Sequence, residues 1–212
     1  MSESAYRFLT KAEILELLGK DLLIEPLLLL EQVQSTGVDL RLDSRFREFR
    51  RARHGILDLS QETPEEEVYE FAETRIKGCH TQDMKKFYLD IEPIFLQAGE
   101  FIVTQTYEYI SMPTNLMGFL DGRSSLARLG TIIHATAGSI APGFKGHITL
   151  ELGNIGKMPV KLCPLSRVAS LHLARVKDVP SYEGQFQHQV RVKPPKPDDD
   201  LVRLLGRSVS SA

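Results

Sequence analysis

Two stretches of this chain hold residue types at spacings that chemistry can use. The first is Gly122-Arg123-Ser124-Ser125-Leu126-Ala127-Arg128-Leu129-Gly130. Guanidinium forks match phosphate oxygens, and hydroxyls with glycine-exposed amides add donors, so the segment suits an anionic, oxygen-rich ligand. It contains no Walker loop. Taken alone, a loop of this composition is more often plain surface structure. The second stretch, Gly138 to Leu152, reads GSIAPGFKGHITLEL. Gly138, Pro142, Gly143 and Gly146 predict a tight turn, and His147–Leu152 a strand. Alternation sets Ile148, Leu150 and Leu152 on one face, with His147, Thr149 and Glu151 on the other. A carboxylate facing a pocket from such a strand is placed for general acid and base work. Facing solvent, it is ordinary surface charge.

Other site chemistries lack their residues. A zinc deaminase needs a Cys-x-x-Cys pair with a further His or Cys ligand. The two cysteines, Cys79 and Cys163, stand far apart in the chain. The six histidines (His54, His80, His134, His147, His172 and His188) form neither HExxH nor His-x-His. No protein-bound metal site is expected, and any metal is expected to arrive with a substrate.

The elements that must position these segments are mostly short strands. Thr10-Lys11-Ala12-Glu13 has capping-box spacing ahead of Ile14, Leu15, Leu17 and Leu18, which predicts a short amphipathic helix ending by Gly19. In TGVDLRLD, Val38, Leu40 and Leu42 alternate as in a half-buried strand. Arginines at 45, 47, 50, 51 and 53 and a glutamate-rich block over 62–73 predict a solvated, mutually compensating surface. From Phe87 to Val176 come FYLDIEPIFL, EFIVTQTYEYI, LMGFLDG, TIIHATAG, HITLELGN, MPVKLC and VASLHLARV, apolar stretches broken by Gly, Pro and Asn. That spacing predicts a barrel or sandwich, not a parallel α/β sheet. One domain is expected over 1–192, with a polar tail over 193–212.

Composition narrows the class. The chain has 212 residues, 42% hydrophobic and 25% charged, with a net charge of −2, the profile of a globular protein. That charge argues against holding nucleic acid by bulk electrostatics. The longest aliphatic run, Leu27–Leu30, falls far short of the roughly 20 residues that span a bilayer. The opening MSESAYRFLTKAE lacks a signal peptide's basic start and apolar stretch. Two cysteines build no disulfide framework, so a cytoplasmic location is expected.

Read together, GRSSLARLG and HATAGSIAPGFKGHITLEL resemble the dCTP deaminase branch of the dUTPase superfamily. TGVDLRL is similar to that family's first motif. LQAGEFIVTQTYEYISMP is similar to the strand leading into its Arg-Ser-Ser segment, and YEGQFQ to its C-terminal nucleotide-covering segment. The likeness runs in order from about Ile14 to Gln189. It implies a mainly β, distorted jelly-roll (β-clip) fold with a short N-terminal helix, assembled as a homotrimer with active sites between subunits. The implied reaction converts dCTP to dUTP and ammonia in pyrimidine deoxyribonucleotide supply. It uses no zinc and takes Mg2+ through the substrate triphosphate. By the resemblance, Glu151 is the general acid/base, Ser124 and Arg128 hold the water and orient Glu151, and the Ala137 carbonyl faces the pyrimidine edge. Arg123 and Ser125 contact phosphates, and Tyr182, Gln185 and Gln187 lie on the covering segment. Asp39 falls on a family motif position with an architectural part.

Three positions depart from the family pattern. Ala141 stands where the relatives carry Asp, the carboxylate that activates water against phosphorus in the dUTPase reaction. Gln185 and Phe186 replace Lys and Tyr, and Ser170 replaces a Gln. Two alternatives therefore stay beside the deaminase reading. One is a dUTP diphosphatase, alone or bifunctional, which Ala141 disfavours. The other is a non-catalytic regulatory nucleotide-binding trimer.

Overall fold

The computed structural model describes residues 7–49, 68–80, 87–177, 179–184 and 186–193. Among these residues the chain is mainly β, and every pairing between its strands is antiparallel. The outer parts of the arginine and glutamate blocks, Gln185 and residues 194–212 of the expected tail lie outside the described residues.

Helix α1 (Lys11–Leu17) starts where its capping box predicts. Glu13 accepts hydrogen bonds from the Thr10 amide at 3.0 Å and the Thr10 hydroxyl at 2.8 Å. Arg7 clamps the same carboxylate at 2.6 Å. The Arg7 hydrogen bond, then those from Thr10, hold the Glu13 carboxyl down to about 2. The helix seats Ile14 in the core through its one fully covered face.

The architecture hinges on β2 (Gly37–Phe49) and β7 (Phe101–Ser111), two long strands paired with each other. Beyond β7 lie β11 (Lys145–Asn154) and then β9 (Thr131–Ile132). Beyond β2 lie β13 (Arg167–Arg175), β8 (Leu116–Gly122) and β10 (Ser139–Ile140). Thus β2 pairs with β13 through its first half and, past a register shift between Leu42 and Phe46, with β7 through its second. Such a change of partner with an irregular register curls a sheet on itself. The ends of β2 and β7 also pair with β3 (Tyr69–Glu73) and β1 (Leu23–Glu25) respectively. Two ribbons complete the pairing: β4 (Ile76–His80) with β5 (Phe87–Ile91), and β6 (Ile94–Leu96) with β12 (Val160–Leu162).

The core is aliphatic, with Leu40, Leu42, Ile110, Leu150, Leu171 and Leu173 fully covered. The face of β2 carrying Asp39, Arg41 and Asp43 is buried as well, which corrects the expectation of a half-buried strand. Its charges are covered because each finds partners. Arg41 donates to Gln32 at 3.0 Å and to the Leu165 carbonyl at 2.6 Å. Asp43 accepts from Arg45 at 2.7 Å and from Gln105 at 2.8 Å. No helix among the described residues is long and apolar enough to cross a membrane.

Candidate active site

Strand β11 alternates as its sequence predicts. Ile148, Leu150 and Leu152 enter the core, while His147, Thr149 and Glu151 line a cavity of about 360 Å3. Its far wall is apolar and comes from three separate strands: Phe49 on β2, Tyr69 on β3, and Phe101 and Val103 on β7. Ala137, Ser139, Ile140 and Ala141 close a third side. The roof is the C-terminal segment, through Tyr182, Phe186, Gln189 and Lys193.

Glu151 is held on both its backbone and its side chain. Its amide donates to the Ile133 carbonyl at 2.9 Å. Its Oε2 accepts from the Ala135 amide at 2.8 Å. Oε1 makes no hydrogen bond among the described residues. One oxygen is thus fixed by a backbone donor and the other is available, the arrangement a carboxylate needs to take up and return a proton. The phenol of Tyr69 in the same cavity is pushed above its ordinary pKa by burial, with the Glu151 charge adding to that effect and Arg47 opposing it.

The C-terminal segment is stitched onto the turn that precedes β11. The Tyr182 amide donates to the Pro142 carbonyl at 3.0 Å, and the His147 amide to the Gln189 carbonyl at 2.9 Å. Gly143, at φ 76°, sits against Ser181, where an added Cβ would meet the serine hydroxyl. Gln187, expected on the nucleotide-covering segment, spends its amide on this seam. It accepts from the Lys145 amide at 2.8 Å and donates to the Gly143 carbonyl at 2.9 Å. It does not line the cavity. Tyr182 does, packing its ring 6.3 Å from that of Phe144.

The Arg-Ser-Ser segment lies elsewhere. Arg123 ends the approach from β8 and caps a one-turn helix, α2 (Ser124–Ala127), with Ser124, Ser125 and Arg128 exposed. None of these four residues lines the cavity of its own chain. Arg123 reaches Asp39 at 3.4 Å, and Arg167 reaches the same carboxylate oxygen at 3.2 Å. Sequence-expected site residues therefore fall into two groups within one chain. Glu151, Ala137 and Tyr182 meet at the cavity, while Arg123, Ser124, Ser125 and Arg128 share an exposed corner.

A family model described as dCTP deaminase-like matches residues 8–176. The chain belongs to the dCTP deaminase-like family. A protein of Nanoarchaeum equitans named "dCTP deaminase, dUMP-forming" is 38% identical over 172 residues, covering 81% of this chain and 85% of the relative. A "dCTP deaminase" of Halorubrum lacusprofundi is 40% identical over 172 residues, covering 80% of this chain and 77% of its own. Among solved structures, the 2'-deoxycytidine 5'-triphosphate deaminase of Agrobacterium tumefaciens matches 82% of this chain with a TM-score of 0.56. At 19% identity that likeness speaks for the fold alone, and the match takes in 49% of the longer chain.

The family frame also marks what sequence reading missed. Tyr69, Phe49 and Phe101 wall the cavity through pairings between distant segments, which no local pattern encodes. Thr149 and His147 were legible as a face, and Gln189 lies just past YEGQFQ. Among the described residues, no group of three or more His, Cys, Asp or Glu side chains stands where it would hold a metal ion.

Proposed function

We propose that this protein deaminates dCTP to dUTP and ammonia, with Glu151 moving the protons. The observation that carries this reading is Glu151 itself. It is a carboxylate with one oxygen pinned to the Ala135 amide, inside a largely apolar cavity under a polar roof. In the proposed reaction, Glu151 takes a proton from water as its oxygen adds to C4 of the cytosine. It passes that proton to the ring nitrogen, then carries the proton of the new C4 hydroxyl to the amine, so that the C4–N bond breaks, the C4 carbonyl forms and ammonia leaves. The Ala137 carbonyl, on the cavity wall, faces the pyrimidine edge.

Ser124 and Arg128 then hold the water and orient Glu151 from a neighbouring subunit, with Arg123 and Ser125 on the phosphates. The separation of the two groups within one chain supports sites shared between copies in a homotrimer. Mg2+ enters with the triphosphate, and the chemistry needs no zinc. The roof, fastened by Gln187 and lined by Tyr182, excludes water from the reacting ring. The covering role of Gln185 rests on the sequence resemblance.

On the product this reading departs from the names that several relatives carry. The Nanoarchaeum equitans relative is named dUMP-forming. Here the cavity position that would hold a phosphorus-directed carboxylate is the methyl of Ala141. Asp39 is buried beneath Arg123 and Arg167, and neither it nor Asp121 lines the cavity. A methyl neither accepts a proton nor holds a water by charge, so dUTP is left intact. The test is to supply dCTP, and separately dUTP, with Mg2+ and to measure ammonia and pyrophosphate. Ammonia from dCTP without pyrophosphate from either supports the reading. Pyrophosphate at a comparable rate overturns the assignment at Ala141, and no ammonia overturns deamination.

A further inference from the structure

Along β11 the cavity changes character at Glu151. Toward the start of the strand its wall is polar, with Thr149 and His147 and with Gln189 donating to the Thr149 hydroxyl at 2.7 Å. Beyond Glu151 the same face carries Gly153, which pairs with Phe101 of β7, and from there the wall is aromatic. The Phe49 ring centroid lies 5.6 Å from that of Phe101 and 4.7 Å from that of Tyr69, its partner in the β2–β3 ladder. Phe49, Phe101 and Val103 bring no polar side-chain atom to this end, and Tyr69 brings one. Tyr69 is 7% exposed, and its phenol makes no hydrogen bond among the described residues. Burial raises its pKa further above neutrality, so the group stays a phenol that can accept as well as donate.

A buried hydroxyl without a partner costs free energy unless a ligand engages it. Resting on the deaminase reading, we propose that the Tyr69 phenol oxygen accepts a hydrogen bond from the 4-amino group of the cytosine and holds that group as it leaves. In cytosine, N1 and C4 lie opposite each other across the ring, so the amine points directly away from the sugar. The sugar and triphosphate are dense in oxygen and are excluded from an end walled by Phe49 and Phe101. With C4 at Glu151, the amine therefore points into that end, where Tyr69 meets it. Lys193, on the roof, is a donor like the amine and no acceptor for it. The contact gains strength during the reaction. Once Glu151 delivers the proton that frees it, the nitrogen is cationic, and hydrogen bonds from a charged donor are roughly twice as strong as neutral ones. An interaction that is stronger in the transition state than in the ground state raises kcat.

Tyr69→Phe keeps the ring and removes the hydroxyl, and kcat for dCTP is expected to fall about tenfold. A second readout separates contact with the amine from a structural part. In Glu151→Gln protein with Mg2+, where bound nucleotide stays intact, calorimetry compares dCTP with the 2'-deoxyribosyl pyrimidin-2-one triphosphate, which lacks only the amine. Adding Tyr69→Phe is expected to cut the preference for dCTP about fivefold, while the amine-free nucleotide keeps its affinity. A kcat within about twofold of the parent overturns the proposal. So does a dCTP preference that Tyr69→Phe leaves unchanged, whatever happens to affinity as a whole. Tyr69→Met, which also lacks the hydroxyl, takes the place of the Phe form should that form not fold. Unmodified protein that releases no ammonia from dCTP overturns instead the deaminase reading on which the proposal rests.

Discussion

The Ala135 amide donates to Glu151 Oε2 at 2.8 Å, joining the strand that carries the carboxylate to the loop that walls the cavity. An amide side chain at 151 can accept the same hydrogen bond through its oxygen, so Glu151→Gln keeps the local geometry and removes only basicity. Turnover of dCTP is expected to fall by about 10²-fold or more, the low end for general acid–base catalysis, with nucleotide affinity retained. Stopped-flow turnover and calorimetry on the same preparation check both halves. Near-normal turnover removes Glu151 from the mechanism.

The proposed assembly rests on the separation of the two residue groups within one chain. Glu151→Gln protein and Arg123→Ala protein are each expected to be inactive. Unfolded together and refolded, random trimers regain activity at about a quarter of their sites, where an intact Glu151 meets an intact Arg123 across an interface. Light scattering is expected to give three copies. An active monomer, or no recovery on mixing, refutes shared sites.

Asp39 holds Arg123 at 3.4 Å and Arg167 at 3.2 Å through one oxygen while itself only 4% exposed. Asp39→Ala strands two guanidinium groups, each with about a third of its side chain in solvent. The expected loss is about 2 kcal/mol, below the range for breaking a fully buried pair. Urea unfolding measures it. Because Arg123 also loses its tether, nucleotide affinity falls in the same variant.

Stability has two carboxylates pulling in opposite directions with pH. Burial pushes Glu108 up, although the Arg41 amide and Gln32 bond its oxygens at 2.8 Å each. Its raised folded value favours the protonated form, so its contribution is present at low pH and lost as pH rises through that value. Glu13, held down to about 2, contributes above its ordinary value of 4.5 and loses that contribution as pH falls toward 2. Glu108→Gln is therefore expected to gain stability relative to the parent at about pH 8 compared with about pH 4. Urea midpoints at the two values check it, and a constant difference between the proteins contradicts it.

Much of the site's scaffold was legible from local pattern. LMGFLDG matches the whole of β8, the β11 face was set by alternation, and Thr10 with Glu13 marked the start of α1. Those features depend on a few neighbouring residues. The cavity wall does not. Tyr69 and Phe49 arrive through the β2–β3 pairing and Phe101 through β7. The buried polar face of β2 was not legible, because its carboxylates are satisfied by residues as distant as Gln105, through a hydrogen bond, and Arg167, through an ion pair. The reach of Gln187 to the Gly143 carbonyl is a consequence of how the roof docks, which the sequence of the covering segment does not encode.

Ala141→Asp places a carboxylate on the cavity wall where this chain has a methyl. It is expected to add slow pyrophosphate release from dUTP while ammonia release from dCTP continues. Malachite green detection after pyrophosphatase treatment separates the two proteins. An unchanged rate shows that the rest of the phosphorus-directed machinery is missing as well.

The most direct measurement is to identify the nucleotide that remains when purified protein has consumed dCTP in the presence of Mg2+. Ion-exchange chromatography resolves dCTP, dUTP and dUMP in one run. Conversion of dCTP to dUTP, matched mole for mole by ammonia and absent in Glu151→Gln, is the predicted result. Accumulation of dUMP contradicts the role given to Ala141, and unconverted dCTP contradicts the deaminase assignment.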